Sequence, residues 1–242
     1  MAPPIVPAMA TLELIELYPS PWSERARWTL DVKGVPYRRT PYVPLAGEAE
    51  HRQRTGIATA PVLLADGEVV GDSDRAVDWL EAHHPAPALV PTDARRRAQV
   101  RAWEVFATET LAPAARLVMI GRYKAMNLQP LADHFAAKYH WNEAEERRVD
   151  RLLRAVLPEL AAAVAAAPYL VGDAFTRADL TVASMLGPAL GLPPDELFTI
   201  DAGMRGMFGT PFGGDASLVS LVAWRDETYR RHRGRRVEPP AA

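Results

Sequence analysis

Strand-like alternation is confined to the first third of this 242-residue chain and stops at a run of prolines, so any β-sheet must be built from the N-terminal segment alone. Residues 12–18 present Leu12, Leu14, Ile15 and Leu17, the pattern of a short strand. Residues 22–33 carry helical spacing through Ala26, Leu30 and Val32 and stop at Gly34. Residues 35–43 are rich in aromatic and β-branched positions and predict a second strand beside the first. A short helix is expected over 48–55. Pro61-Val62-Leu63-Leu64, Asp66-Gly67 and Glu68-Val69-Val70 then read as a hairpin, because an Asp-Gly pair accepts the positive φ angles of a type I′ turn. Asp72 and Ser73 open a helix to about His83.

The order β-α-β-α-β-β-α predicts an α/β domain over 11–84, with two parallel strands followed by an antiparallel hairpin. Pro85, Pro87 and Pro91 mark a linker over 85–91. Beyond Thr92, alternation gives way to long runs of 3.6 period over 94–123 and 143–166, so the segment 92–236 is expected to be all-helical. Pro158 predicts a kink or break in the second run. Thr176-Arg177-Ala178-Asp179 has the spacing of a capping box, and a last helix is expected over 217–231. The fold class is therefore α+β, an α/β domain followed by an all-α domain.

Several function classes are excluded by composition. The formal net charge is −2, which gives no global basic field for nucleic acid or anionic membrane. No window approaches 18 consecutive apolar residues. Residues 1–10 hold three prolines and no Lys or Arg, and read as a disordered tail rather than a secretory signal, so a cytoplasmic location is expected. A second tail covers 237–242. There is no cysteine, hence no disulfide, no Cys-ligated metal and no cysteine nucleophile. The adjacent pair His83-His84, and His134 with His140, lack the spacing of a metal site, and none is expected. The basic run 230–236 ends a helix without interleaved aromatics and reads as a solvated tail.

The chemistry is concentrated at Ser20-Pro21-Trp22-Ser23, between the first strand and the first helix. Thioredoxin-like folds place reactive cysteines at the two ends of such a turn, where the helix N-terminus stabilises a thiolate. Here both ends are serine. A hydroxyl cannot exchange disulfides, but it can donate a hydrogen bond to a sulfur carried in on a ligand, which points to glutathione.

From about Leu12 to Arg231 the chain resembles the glutathione transferase family. The resemblance is carried by the SPWSERARW turn, similar to that of serine-type members such as the plant tau class, by Ala60-Pro61-Val62-Leu63, by Asp72-Ser73, and by the capping box at Thr176 to Asp179. It implies the glutathione transferase fold, with a thioredoxin-like domain first and a helical domain second. It also implies a transferase that activates the glutathione thiolate for attack on a small hydrophobic electrophile. The alternatives are a glutathione-dependent isomerase, dehalogenase or ether-cleaving enzyme, or a non-catalytic binding protein on the same fold.

Residue by residue, the resemblance makes Ser20 the donor to the sulfur. Trp22 would wall the site, and Ser23 is a second donor or a helix cap. Pro61 would be cis, presenting the backbone of Ala60 to the cysteinyl unit as an added strand does. Asp72 would hold the γ-glutamyl ammonium and Ser73 its carboxylate. Thr59 stands where the family often carries a basic residue for the glycyl carboxylate. A further family Lys or His about a dozen residues upstream has no clear counterpart, and His51, Arg52 and Arg54 are the candidates to reach the same place. Trp103, Phe106, Met119 and Tyr123 are candidates for lining the electrophile pocket, and residues 203–214, with Met204, Met207, Phe208 and Phe212, for an apolar lid. Tyr18 is a weaker candidate for the donor hydroxyl. Glutathione is the co-substrate, no metal is implied, and a homodimer is expected by resemblance.

Overall fold

In the computed structural model, which describes residues 12–200, 202–208 and 211–239, four strands form one sheet in the order β2-β1-β3-β4. The sheet is built from β1 (Leu12–Glu16), β2 (Tyr37–Pro41), β3 (Val62–Ala65) and β4 (Glu68–Gly71). β1 runs parallel to β2, with Leu14 opposite Arg39, and antiparallel to β3, with Leu14 opposite Leu63. The β3–β4 hairpin turns on Asp66 and Gly67, whose φ angles of 50° and 85° are those of the type I′ turn. Three helices cover this sheet: α1 (Pro21–Val32), α2 (Glu48–Thr55) and α3 (Ser73–His83). The expected tail over 1–10 lies outside the described residues.

Helices then take over: α4 (Ala94–Phe106), α5 (Ala114–Ala125), α6 (Gln129–Lys138), α7 (Glu143–Ala166), α8 (Arg177–Leu190), α9 (Ala202–Met207) and α10 (Val219–His232). The single run expected over 94–123 is two helices. Ala107–Leu111 widens into a π turn, with Ala112 N–H donating to the Ala107 carbonyl, and Pro113 cannot continue the ladder. Conversely, α7 passes through Pro158 without a break; its apolar face of Val149, Leu153, Leu157, Leu160, Ala161 and Val164 is buried along its length. The capping box of α8 forms as the sequence predicts, with Thr176 N–H donating to Asp179 at 2.8 Å. Asp179 also accepts from Leu170 N–H at 2.7 Å, and burial pushes its carboxyl up.

Two apolar cores meet on α1. Ala26 and Leu30 pack with Leu14, Leu63 and Leu80 in the sheet domain, whereas Trp28 belongs to the core of the helical domain, 4.2 Å from the Tyr229 ring. Ion pairs complete the junction. Arg25, fully buried on α1, donates to Thr181 Oγ1 on α8 at 3.0 Å, to Glu104 on α4 at 2.6 Å and to Asp74 on α3 at 2.7 Å. Glu104, 1% exposed, also accepts from Arg177 at 2.8 and 2.9 Å, and Arg177 reaches Asp78 at 2.7 Å.

The basic C-terminal run is only partly the solvated tail expected of it. Arg230 and Arg231 are exposed beside Glu227, but Arg233 turns inward and pairs with Glu24 at 2.8 Å and with Asp31. Arg236 donates to the Tyr37 carbonyl at 3.1 Å and lies over the Tyr37 ring. Gly234 permits this return, since a Cβ there would stand 2.6 Å from the Asp31 backbone. The cause is charge: Glu24 and Asp31 are buried carboxylates on α1, Glu24 already pairs with Arg27 at 2.7 Å, and Arg233 bridges the two.

Removing Glu104 (Glu104→Ala) leaves Arg25 and Arg177 buried with reduced compensation, and is expected to cost about 3–5 kcal/mol in urea unfolding at neutral pH. Arg233→Ala is expected to cost about 3 kcal/mol by the same reasoning. Although burial alone would raise the Glu24 carboxyl, Arg233 and Arg27 hold it below its ordinary 4.5. A depressed carboxylate contributes stability above its unfolded value and loses it as the pH falls. The gap between wild type and Arg233→Ala should therefore be constant near neutral pH and close below about pH 4.5 in pH-dependent unfolding.

Candidate active site

Between the N-terminus of α1 and the helices α5 and α6 lies a cavity of about 230 Å³. The sheet-domain wall contains Ser20, Trp22, Tyr42, Thr59 and Ala60. α5 contributes Arg116, Met119, Arg122 and Tyr123, which recur at spacings of three and four and so share one helix face. Phe135, Lys138 and Tyr139 from α6 and its end close the opposite side, with Phe208 beyond α9.

Ser20 is the N-cap of α1, with extended backbone at φ −68° and ψ 130°, and its side chain makes no capping hydrogen bond. Pro21 at the first helical position has no N–H to satisfy, which suits a helix start whose capping hydroxyl is left for other use. The Ser20 backbone is pinned by its N–H donating to the Leu17 carbonyl and by its carbonyl accepting from Glu24 N–H, both at 2.9 Å. The hydroxyl thus sits on the cavity wall at the positive end of a helix dipole. Ser23, by contrast, is fully buried and is neither the helix cap nor part of the cavity wall. Its Oγ accepts from Leu17 N–H at 3.2 Å, fixing the strand-to-helix turn from behind.

Thr59 and Ala60 border the cavity, and the Ala60–Pro61 bond is cis; a second cis bond, Ala86–Pro87, has no counterpart in the sequence reading. Pro61 itself is buried behind this segment. The candidate basic residues upstream of Thr59 are engaged or turned away. His51 is buried with Nε2 3.0 Å from the Thr59 carbonyl, Arg54 grips both oxygens of Glu13 at 2.7 Å, and Arg52 is exposed. The cation that reaches this wall comes from the other domain. Lys138 donates to Glu48 at 2.6 Å, to Tyr42 OH at 2.8 Å and to the Ala58 carbonyl at 3.0 Å. His134 Nε2 lies 3.0 Å from the same Glu48 oxygen. Burial is the largest single effect on the Glu48 carboxyl and pushes it up, but Lys138, Tyr42 and His134 together outweigh it and hold the group down at about 2, and burial together with Glu48 pushes the Tyr42 phenol up.

Asp72 and Ser73 stand at the N-terminus of α3, outside the cavity lining. Asp72 is exposed and caps the helix through Arg75 N–H at 2.9 Å. Its φ of 57° with ψ of 168° is a conformation that non-glycine residues rarely adopt, and such outliers concentrate at ligand-binding positions. Ser73 is buried, with Oγ 3.5 Å from Arg25. Met119 and Tyr123, two of the expected pocket residues, border the cavity. Trp103 and Phe106 do not: they meet edge to face at 5.6 Å and pack against the core of the helical domain. Their helix ends before the π turn, and the wall is made by the next one. Tyr18 is also absent from the lining; its hydroxyl donates to the Thr199 carbonyl, and Arg27 lies over its ring. Of the expected lid, Phe208 borders the cavity and Phe212 is buried in the core, while the side chains of Met204 and Met207 lie outside the description. Among the described residues, no group of three or more His, Asp or Glu is placed to hold a metal ion.

The sequence reading missed Tyr42, Arg116, Lys138 and Tyr139. Tyr42 lay inside an expected strand. Arg116 and Lys138 belong to α5 and α6 and Tyr139 caps the end of α6, where an amphipathic pattern does not say which face meets another domain.

Residues 14–88 match the family model of the glutathione S-transferase N-terminal domain. The chain is 35% identical over 97 residues to a maleylpyruvate isomerase of Ralstonia sp, covering 38% of this chain and 44% of that protein. It is 26% identical over 193 residues to a maleylacetoacetate isomerase of Rattus norvegicus, covering 78% of this chain and 80% of that one. It spans less than half the length of the first curated relatives that it matches. Among solved structures, a glutathione S-transferase from Methylobacterium radiotolerans, in complex with glutathione sulfonate, superposes with a TM-score of 0.61 at 20% identity, over 96% of this chain and 99% of that chain. That likeness is one of fold.

The Glu48 cluster ties α2 to α6 across the cavity, and its contribution to stability has a defined pH window. It is present above the ordinary carboxylate value of 4.5 and is lost as Glu48 protonates toward about 2. In melting experiments Glu48→Gln is expected to lower the Tm at neutral pH, and the difference from wild type should vanish through that window.

Proposed function

The chain belongs to the glutathione S-transferase family, and from that premise we propose that it is a glutathione-dependent enzyme in which Ser20 activates the thiol for attack on a small electrophile held by α5 and α6. The observation that carries this reading is the Ser20 hydroxyl itself, at a helix N-terminus on a cavity wall and not engaged in capping. A free thiol titrates near ~8.5, and a donated hydrogen bond together with the helix N-terminus favours the thiolate. The cysteinyl backbone would lie along Thr59 and Ala60, next to β3 but outside its ladder, which starts at Val62. The γ-glutamyl end would reach toward Asp72 and the N-terminus of α3, where an exposed carboxylate meets a helix terminus suited to anions.

In the reaction the thiol proton leaves to solvent, the sulfur lone pair forms the C–S bond, and the leaving group departs with its bonding pair. The enzyme contributes thiolate stabilisation and alignment. The mostly apolar residues of α5 and α6 favour a hydrophobic body on the electrophile. A second reading, a glutathione-dependent isomerase, is favoured by the names of two relatives, a maleylpyruvate isomerase and a maleylacetoacetate isomerase. It uses the same thiolate, adding to and leaving the substrate without net consumption of glutathione.

Calorimetric titration with glutathione, paired with conjugation of an aryl halide, tests the proposal. Binding is expected in both wild type and Ser20→Ala, with kcat/KM lower in the variant by about tenfold to a hundredfold, the worth of a hydrogen bond to a charged group. No binding at millimolar glutathione would contradict the enzyme reading. Conjugation unchanged in Ser20→Ala would remove Ser20 from the role.

A further inference from the structure

The charges around the cavity are one-sided. Arg116, Arg122 and Lys138 line it, and no aspartate or glutamate does, although the chain as a whole carries a net charge of −2. Lys138 is neutralised by Glu48 at 2.6 Å from outside the lining. Arg122, exposed, donates to the Gly206 carbonyl at 2.9 Å. Arg116, like Arg122, has no carboxylate partner among the described residues, but it is half-buried and its Nε is buried without a hydrogen bond. A half-buried guanidinium without a counter-ion is costly, and proteins ordinarily pair it.

What holds Arg116 in place is aromatic. Its guanidinium lies 4.6 Å from the centroid of Tyr139 and 5.5 Å from that of Trp22. Two ring faces fix a cation without consuming the in-plane N–H donors, so the fork of the guanidinium remains available for a planar anion. Trp22 is two residues from Ser20, so this cation, projecting from the opposite wall on α5, meets the Ser20 wall at the start of α1.

We propose that Arg116 is the recognition site for a carboxylate on the electrophile, so that the enzyme's substrates are small aromatic or unsaturated acids rather than neutral hydrophobes. This rests on the glutathione-dependent reading above and narrows it. The carboxylate takes the Arg116 fork, the apolar body lies along Met119 and Tyr123, and the reactive carbon faces Ser20. The volume of about 230 Å³ is below the ~300–1,000 Å³ of drug-sized sites, and the cysteinyl end of glutathione would share it, which leaves room only for a compact acid. Glutathione also carries carboxylates. Lys138, beside Ala58 and next to the Thr59 segment, is the cation nearest the expected path of the tripeptide, whereas Arg116 sits over Trp22.

The test compares 3,5-dinitrobenzoate with its methyl ester, neither of which carries a leaving group, by calorimetry on the full chain. Their 4-chloro derivatives serve for conjugation, in which the C–S bond forms, the C–Cl bond breaks, chloride leaves and the thiol proton goes to solvent. Wild type is expected to prefer the acid over the ester by on the order of tenfold to a hundredfold in both readouts, the range for a charge-assisted hydrogen bond. In Arg116→Gln that ratio should fall to near one, while Arg116→Lys should retain part of it. Because each protein is its own reference, the ratio is unaffected by a reduced active fraction, and the wild-type ratio is informative even if the variants fail to fold. Equal binding of acid and ester by wild type overturns the proposal, as does an acid preference that survives Arg116→Gln. A rise in the KM for glutathione that is the same with both electrophiles would reassign Arg116 to the tripeptide and also overturn it. Selective binding of the acid with no conjugation would uphold the anion site and sink the glutathione-transfer reading instead.

Discussion

Glu104 lies 1% exposed between Arg25 and Arg177, and through those two guanidiniums it joins α1 and α3 of the sheet domain to α4 and α8 of the helical domain. Arg25 is spent entirely on this junction. Three residues further along α1, Trp28 leaves the sheet-domain core and packs into that of the helical domain. The consequence is positional. α1 carries Ser20 at its N-terminus, α5 and α6 carry the opposite wall, and the distance between the walls is set by a buried charge cluster and an indole rather than by the linker. Buried ion pairs are weak contributors to net stability but costly to break, because the remaining charge has nowhere to go. Such a cluster therefore specifies one arrangement of the two domains, and the return of Arg233 onto Glu24 and Asp31 fixes the same helix from the C-terminal side.

The two ends of the cavity are held by different physics. At the α2–α6 side, Lys138, Glu48, Tyr42 and His134 form a compensated polar cluster in which the lysine charge is already answered. Near Ser20, Arg116 is held by ring faces and has no carboxylate partner among the described residues. A site with a helix N-terminus, a hydroxyl donor and an uncompensated guanidinium favours negative charge at several points. That suits a thiolate beside an anionic co-substrate, provided the cations outnumber the charges brought in.

Local chemistry was legible in the sequence wherever it is written in short motifs. The strand-turn-helix around Ser20, the Asp66-Gly67 hairpin, the Asp72 cap and the capping box at Thr176 each depend on residues within a few positions of one another. What depends on distant partners was not legible. Ser23 looked like a donor at a motif end, yet the backbone N–H of Leu17, six residues earlier, takes its hydroxyl. Trp103 and Phe106 looked like pocket residues on a continuous helix, but the π turn at Ala107–Leu111 and Pro113 hands the wall to α5. The basic run ending in Arg236 looked solvated because its partners, Glu24 and Asp31, are some two hundred residues away. Lys138 and Arg116 likewise declare themselves only when α5 and α6 are set against α1 and α2.

The central claim is that Ser20 and the start of α1 stabilise a thiolate on bound glutathione. Its most direct measurement is the ultraviolet titration of that thiolate in the binary complex, in wild type and in Ser20→Ala. The account predicts a thiol pKa clearly below the free value of ~8.5 in wild type and a return toward it in the variant. A bound thiol that titrates at the free value in wild type, or at the same depressed value in both proteins, would contradict it.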